Sequence, residues 1–186
     1  YDDLGPIRRA LKEFKPHITF MLLEEFHGVV TYDFAVISYL ELMQQPYTGC
    51  NPRGLLLSKD KALTKKVLTY HRIATPRFIV FPKGRTVFRP KKLSFPLFVK
   101  SAIEDASFGI AQASIVYSDE ALFERVEFLH QKTGEDVIAE QYIDGRELYV
   151  GVMGNKRLQV LPVWELEMRK LRSDAPRIAT RQVKWN

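Results

Sequence analysis

The sequence predicts an α/β layer with parallel strands, followed by an α+β region. In the first part, segments with apolar residues at three- and four-residue spacing alternate with short apolar runs of strand length. This alternation is typical of helices that cross between parallel strands. From residue 137 onward the pattern changes to strands joined by tight turns. We find no internal repeat and no low-complexity segment.

The first part of the chain predicts two helices and two short strands. The first helix ends before Pro16, and its apolar residues recur at helical spacing: Leu4, Ile7, Leu11 and Phe14. Residues 17–23 predict a strand, and residues 24–31 predict a loop. The second helix has the apolar residues Phe34, Ile37, Leu40 and Leu42. Pro46-Tyr47-Thr48-Gly49 then predicts another short strand.

The middle of the chain predicts two further helices and three strands. Ser58 or Asp60 can cap the first of these helices, and its apolar stripe is Leu63, Val67 and Tyr70. The strands are predicted at residues 78–81, 97–100 and 110–117. Ser118 is the predicted cap of the next helix. Its predicted buried residues are Leu122, Val126 and Leu129, and Gly134 is predicted to end it.

The last part predicts antiparallel strands. Residues 137–143 read as a strand, and Asp144-Gly145 is a strong signal for a two-residue hairpin with residues 148–153. Gly154-Asn155 predicts a second turn before a strand at residues 158–163.

The bulk composition describes a globular protein of one or two domains. The chain has 186 residues, of which 46% are hydrophobic, and no apolar stretch is long enough to span a bilayer. Its single cysteine, Cys50, is consistent with a reducing compartment, so we expect a cytoplasmic protein without a membrane partner. The four histidines lack the spacing of zinc ligands, and the common Gly-rich nucleotide-binding motifs do not occur.

The net charge of +6 raises a nucleic-acid-binding alternative. The basic residues are, however, spread along the chain and are not interleaved with aromatic residues. We therefore expect a solvated basic surface, or one that serves small anionic ligands, and no nucleic-acid partner.

Two lysines are candidates for phosphate binding. Lys61 falls in the first turn of its predicted helix, where a cation opposes the helix dipole unless an anion is bound there. The alternative for Lys61 is a solvated lysine that Asp60 partly offsets. Lys100 ends an apolar strand immediately before residues 101–109, a small and polar segment suited to a loop that closes over a ligand. Its alternative is an edge lysine beside an ordinary turn.

Residues 140–147 can carry nucleoside recognition. The end of a strand offers backbone groups to an adenine edge, and Glu147 can accept hydrogen bonds from ribose hydroxyls. The alternative is an exposed hairpin with a surface pair of glutamate and arginine.

Seven short motifs occur in one order: His27-Gly28, Pro46-Tyr47-Thr48-Gly49, residues 60–65, residues 95–100, residues 107–110, residues 140–147 and Leu161-Pro162-Val163. Together they resemble the D-alanine–D-alanine ligases and related carboxylate–amine ligases of the ATP-grasp superfamily. The resemblance implies that ATP phosphorylates a carboxylate and that an amine attacks the acylphosphate to form an amide.

The resemblance also implies roles for particular residues. Those that match phosphate-binding positions are Lys61, Lys100 and Ser107, and residues 101–109 match the flexible loop that covers the phosphates. Those that match adenine- and ribose-binding positions are Glu140, Gln141, Tyr142, Ile143 and Glu147. His27 and Gly28 match substrate-binding positions, and the catalytic residues stay unassigned.

Three departures from the family pattern bear on the substrate. Ala106-Ser107 stands where paired serines are usual, Thr31-Tyr32-Asp33-Phe34 stands in place of a Gly-Glu-Asp-Gly stretch, and Gln141 stands where a lysine is frequent. The resemblance therefore implies ATP and an amino acid or peptide as small-molecule partners, without fixing D-alanine. A homo-oligomer is left open.

The resemblance further implies Mg²⁺, but its ligand pattern does not occur. After Glu147 the carboxylates are Glu165, Glu167 and Asp174, and none of them stands in a Glu-x-Asn-Pro-like motif. We therefore predict no metal ligand in this chain, expect the ligands beyond Asn186, and expect the 186 residues alone to be inactive.

The predicted domain plan follows the same resemblance. Residues 1–57 are an incomplete doubly wound N-terminal domain, residues 58–142 are the central ATP-grasp subdomain, and residues 143–186 begin a truncated C-terminal subdomain. The alternative function is a non-catalytic ATP-grasp-like module that binds nucleotide without turnover.

Overall fold

The structure, a computed structural model, describes residues 3–104, 109–168 and 176–179. Its helices in these ranges are α1 (Gly5–Phe14), α2 (Asp33–Leu42), α3 (Pro52–Lys59), α4 (Lys61–Tyr70) and α5 (Asp119–Thr133). Its strands are β1 (Phe78–Phe81), β2 (Leu97–Ser101), β3 (Ile115–Val116), β4 (Val137–Gln141), β5 (Leu148–Met153) and β6 (Gln159–Glu165). Short 3-10 turns precede α2 and β3. No helix within the described ranges combines the length and the apolarity needed to cross a bilayer.

The N-terminal part contains both predicted helices but not the full predicted strand at residues 17–23. In that run only Thr19 forms a bridge, parallel to Tyr47. Two backbone hydrogen bonds hold it, from the Thr19 amide to the Pro46 carbonyl at 2.8 Å and from the Thr48 amide to the Thr19 carbonyl at 3.0 Å. The flanking apolar side chains Phe20 and Leu22 are exposed, so no packing extends the pairing.

Helix α3 was not predicted, and it changes the interpretation of Ser58. Asn51 caps α3 by accepting a hydrogen bond from the Gly54 amide at 2.8 Å. The sequence pattern did not predict this helix because Pro52 and Gly54 are typical loop residues, although proline is well tolerated in the first turn of a helix. Ser58 therefore lies inside α3, and Asp60 is the cap of α4, accepting from the Leu63 amide at 2.8 Å.

Strands β1 to β4 form one sheet with the order β1-β4-β2-β3, and every neighbouring pair is antiparallel. The predicted parallel pairing is therefore wrong for this sheet. Since β3 and β4 both run opposite to β2, they point the same way, and α5 connects them as a crossover helix does. The sequence correctly predicted that helix and strand alternate here. The parallel strands β3 and β4 do not pair with each other, however, because β2 lies between them.

The core lies between this sheet and α5. Leu122, Val126 and Leu129 are fully buried on the predicted side of α5, against the sheet residues Leu97, Val99, Val137 and Ala139. Ser118 caps α5 by accepting from the Ala121 amide, and Gly134 ends it at a φ of 77°. The boundaries and the buried face of α5 are therefore as the sequence predicted.

The predicted hairpin at Asp144-Gly145 is wrong. Strand β4 pairs with β1 on one edge and with β2 on the other, so neither edge is available to β5. Strand β5 instead pairs with β6 in a separate two-stranded sheet, with Tyr149 opposite Trp164. The predicted strand at residues 110–117 is also shorter than expected, because only Ile115 and Val116 pair with β2.

Candidate functional site

A cavity of 410 Å³ lies at the end of β4. Most of its lining comes from the end of β2, the end of β4 and the residues that follow β4. The full lining is Pro76, Phe98, Lys100, Ile110, Glu140, Gln141, Tyr142, Ile143, Gly145, Arg146, Glu147, Arg177, Ile178 and Ala179. The structure therefore places Lys100 and all five predicted nucleoside-binding residues around one space.

The backbone at the end of β4 is fixed on both sides. The Gln141 amide donates to the Arg77 carbonyl at 2.9 Å, and the Tyr142 amide donates to the Pro96 carbonyl at 3.0 Å. Ile143 lies one residue past these hydrogen bonds, and its side chain is 65% exposed. The strand thus delivers a rigid stretch of main chain to the rim of the cavity.

The carboxylate of Glu140 lies between two lysines. Its Oε2 atom is 2.7 Å from Lys65 Nζ, and its Oε1 atom accepts a hydrogen bond from Lys100 Nζ. The Glu140 side chain is only 9% exposed, and those of Lys65 and Lys100 are 11% and 18% exposed. Glu140 therefore lines the cavity, and its side chain is engaged with the two lysines.

The two lysines set the protonation of Glu140. Burial raises the pKa of the Glu140 carboxyl, but the charges and hydrogen bonds of Lys100 and Lys65 lower it by more. The net pKa lies below the ordinary glutamate value, so Glu140 is anionic at neutral pH. This small region consequently has two positive charges and one negative charge.

Lys61 does not line the cavity but lies near the end of β2. Its amide donates to the Ala102 carbonyl at 3.1 Å, and its Nζ donates to the Glu104 carbonyl at 2.6 Å. Lys61 is thus attached to the segment that begins two residues after Lys100. Ser107 and its neighbours at residues 105–108 lie outside the described residues, so the predicted loop is described only at its two ends.

Glu147 and Gln141, two of the predicted nucleoside-binding residues, have side-chain partners. Glu147 Oε1 accepts from the Tyr149 hydroxyl at 2.5 Å, and this bond, with burial, raises the pKa of Tyr149 to about 12. Gln141 Nε2 donates to Ser94 Oγ at 3.3 Å. The Gln141 side chain is therefore engaged with Ser94, and its contribution to the cavity is mainly backbone.

His27 and Gly28 form a two-residue turn that does not line the cavity. Both have positive φ, at 56° and 70°, and the flanking residues Phe26 and Val29 exchange backbone hydrogen bonds of 3.2 and 3.0 Å. The His27 ring meets the Phe26 ring edge to face, with centroids 4.6 Å apart. Positive φ at both central residues is typical of a type I′ turn, which explains the glycine.

Two features of the site were missed from the sequence. The first is the segment at residues 176–179, which reaches the cavity through two hydrogen bonds between Tyr142 and Arg177. The Tyr142 hydroxyl accepts from the Arg177 amide at 2.8 Å and donates to the Arg177 carbonyl at 3.3 Å. No local sequence pattern predicts this contact, because Tyr142 and Arg177 are distant in the chain. The second is Lys65, one helical turn after Lys61 and on the same face of α4, a spacing that could have identified it.

The part of the chain that the structure describes holds no group of three or more His, Cys, Asp or Glu residues able to bind a metal ion.

The chain is similar to known ligases in sequence and in structure. Residues 67–174 match the family model for the D-ala D-ala ligase C-terminus. The chain is 38% identical over 139 residues to a D-alanine–D-alanine ligase of Syntrophotalea carbinolica, and 34% identical over 151 residues to the uncharacterized protein y4sG of Sinorhizobium fredii. These alignments cover 74% and 81% of this chain but 43% of each relative, so the chain spans less than half the length of either.

Solved ligase structures have a fold similar to that of this chain. The D-alanine–D-alanine ligase of Bacillus anthracis complexed with ATP superposes with a TM-score of 0.66 at 28% identity, covering 85% of this chain and 51% of that one. The VanG D-Ala:D-Ser ligase of Enterococcus faecalis gives a TM-score of 0.64 at 25% identity, covering 80% and 43%.

Proposed function

Because the chain belongs to the D-alanine–D-alanine ligase family of ATP-grasp proteins, we propose that its complete protein is an ATP-dependent carboxylate–amine ligase. The observation that carries the proposal is the cavity at the end of β4, where Lys100 and the five nucleoside-side residues meet. ATP is the nucleotide named for one of the structural relatives, and the cavity offers groups that suit its base, ribose and phosphates.

The proposed base site uses main chain. Adenine presents an amino donor beside a ring-nitrogen acceptor, and a carbonyl and an amide at a strand end complement that pair. The carbonyl of Gln141 and the amide of Ile143 lie at the end of β4, next to amides that the sheet already holds. Glu147 lies on the same rim, where its carboxylate can accept from ribose hydroxyls.

The proposed phosphate site uses lysines. Lys100 projects from the end of β2 into the cavity, and Lys61 is attached to the segment that follows the same strand. Two ammonium groups here would offset the charge that develops as the terminal phosphoryl group is transferred. Ser107 is proposed as a third phosphate contact, by resemblance alone.

The proposed reaction has two steps. A substrate carboxylate oxygen attacks the terminal phosphorus of ATP, and ADP leaves. An amine nitrogen then attacks the acylphosphate carbon, its proton is lost, and inorganic phosphate leaves as the amide forms. The proposed base and phosphate sites hold the nucleotide and offset its negative charge. Holding reactants in the correct geometry supplies much of the rate enhancement in a reaction of this kind. Mg²⁺ would add charge neutralisation; the described residues contain no group of three or more His, Cys, Asp or Glu residues for a metal ion, and no step is assigned to it.

The proposed substrate is an amino acid or a peptide. His27 and Gly28 form a tight turn outside the nucleotide cavity, which suits a substrate-side contact. The departures at residues 31–34 and at Ala106 leave the choice of amino acid open. We also propose the division into residues 1–57, 58–142 and 143–186. The location of β4 and β5 in separate sheets supports a boundary near residue 143, whereas residue 58 lies inside α3, so the first boundary fits better at Asp60, between α3 and α4.

The complete protein tests the proposal by ATP titration and by release of ADP in the presence of a panel of amino acids. We expect ADP release to require an amino acid, and Lys100→Ala to weaken ATP binding by about tenfold or more, as for loss of a charged hydrogen bond. Lys92→Ala is the matched control, because Lys92 is exposed on the connector before β2.

Equal losses in Lys100→Ala and Lys92→Ala at fixed salt would indicate a general charge effect and remove the specific role of Lys100. Tight ATP binding without any amino-acid-dependent ADP release would favour the non-catalytic module instead.

A further inference from the structure

We propose that Lys65 is a positioning residue that neutralises Glu140 and thereby frees Lys100 to bind the phosphates of the nucleotide. The inference rests on the proposed function, since it concerns how the same site exchanges one anion for another. It is carried by the cluster of Lys65, Glu140 and Lys100, in which one buried carboxylate has two cationic partners on two different elements.

The cluster presents a conflict between folding and binding. Lys100 holds Glu140 in the structure, yet it lines the cavity in which a nucleotide would need its charge. If Lys100 turned toward a phosphate and nothing else contacted Glu140, a carboxylate with 9% exposure would be left without a counterion. Burying an unpaired charge is strongly unfavourable, so Glu140 would compete with the nucleotide for Lys100.

Lys65 is placed to remove that competition. Its Nζ is 2.7 Å from Glu140 Oε2, while Lys100 contacts the other oxygen, so the two lysines do not exclude one another. Three further contacts hold Lys65 in place: Thr75 Oγ1 at 3.4 Å, the Pro76 carbonyl at 3.3 Å and the ring of Phe78 with its centroid 5.6 Å away.

The two lysines also differ in how they are supported. Lys65 is on the second turn of α4 and contacts Glu140 beside the Phe78 ring of β1, whereas Lys100 is on β2 at the rim of the cavity. Lys65 is not among the residues that line the cavity. It therefore serves Glu140 in both states, and Lys100 is the lysine that is able to change partners.

The test measures ATP affinity in the complete protein with five variants. Lys65→Met keeps the length of the side chain but removes its charge, and we expect it to weaken ATP binding by about tenfold, as if Lys100 were free in roughly one molecule in ten. Lys65→Arg keeps the charge and should retain most of the affinity. Lys66→Met is the matched control, because Lys66 is the next residue of α4 and is exposed.

Two further variants separate positioning from general electrostatics. In the Glu140→Gln background no carboxylate holds Lys100, so adding Lys65→Met should change the ATP affinity by no more than about threefold relative to Glu140→Gln alone. A loss as large as that caused by Lys65→Met in the wild-type background would show that Lys65 acts on the nucleotide by its charge, and would overturn the proposal. Unchanged affinity in Lys65→Met alone would also overturn it.

The outcomes distinguish this inference from the proposed function. If the wild-type protein binds no ATP, both fail. If the wild type binds ATP and Lys65→Met binds it equally well, only the role of Lys65 fails. A thermal-unfolding scan of each variant checks that a lost affinity does not come from a lost fold, and Lys65→Arg provides a second folded reference.

Discussion

The buried ion pair between Lys59 and Asp33 makes an asymmetric stability prediction. Lys59 Nζ is 3.2 Å from Asp33 Oδ2, and the two side chains are 8% and 3% exposed. Lys59 also donates to the Glu24 carbonyl at 3.3 Å, so the pair ties α2 and α3 to the segment that leads to the His27-Gly28 turn. Replacing Lys59 leaves the buried Asp33 carboxylate without this ammonium group.

We expect Lys59→Met to lower the free energy of unfolding by about 3–5 kcal/mol, the range typical for breaking a buried pair. Asp33→Leu should lower it by less, about 1–3 kcal/mol, because the long lysine side chain can move its ammonium group toward water whereas the short aspartate cannot. The double variant should recover most of the loss, since two apolar groups of similar volume need no counterion.

The assay is urea unfolding of all three variants, followed by circular dichroism. The midpoint should shift while the slope stays constant, which would show that stability changed and compactness did not. The reasoning would be refuted if the losses in the two single variants simply added in the double variant, because the two side chains would then be energetically independent.

Three further predictions concern the site and the core. ATP should bind about ten- to a hundredfold more tightly than GTP, because guanine would face a main-chain carbonyl with an acceptor; Gln141→Ala should leave that ratio unchanged, and equal affinities in a competition titration would contradict the base site at Ile143. Glu140, whose pKa is lowered, stabilises the fold above the ordinary glutamate pKa and loses that contribution as pH falls through its lowered value; the stability gap between the wild type and Glu140→Gln should therefore narrow in acid, and a gap that is constant from pH 7 to strong acid would exclude this linkage. Leu129→Ala should lower the free energy of unfolding by about 2–5 kcal/mol, since Leu129 is fully buried; a loss in urea unfolding no greater than that of exposed Leu42→Ala would speak against its place in the core.

Local signals were the part of the fold that the sequence predicted well. Helix α5 was correct in its cap, its buried face and its end, because each depends on residues within a few positions of one another. Strand β1 was predicted with its observed bounds for the same reason. Helix α3 shows the limit, because a proline and a glycine in a short helix resemble a loop when propensity alone is considered.

Partners distant in sequence were not predictable in this way. The Asp144-Gly145 turn has the composition of a hairpin, but the edges of β4 are taken by strands from much earlier in the chain. The same limit applies to the candidate site. Its motifs identified Lys100 and the rim of β4, while the contact of Tyr142 with Arg177 joins segments that share no local pattern.

The central place of β4 would make the proposed nucleotide binding depend on a completely formed sheet. The rim of the cavity exists only when β4 has paired with β1 and β2, which lie far upstream, and when Glu140 has met lysines from α4 and β2. Such long-range pairing is slow to form compared with helices. During synthesis we therefore expect the chain to form its helices first and the proposed nucleotide site late, so that only molecules with a complete sheet would bind a nucleotide.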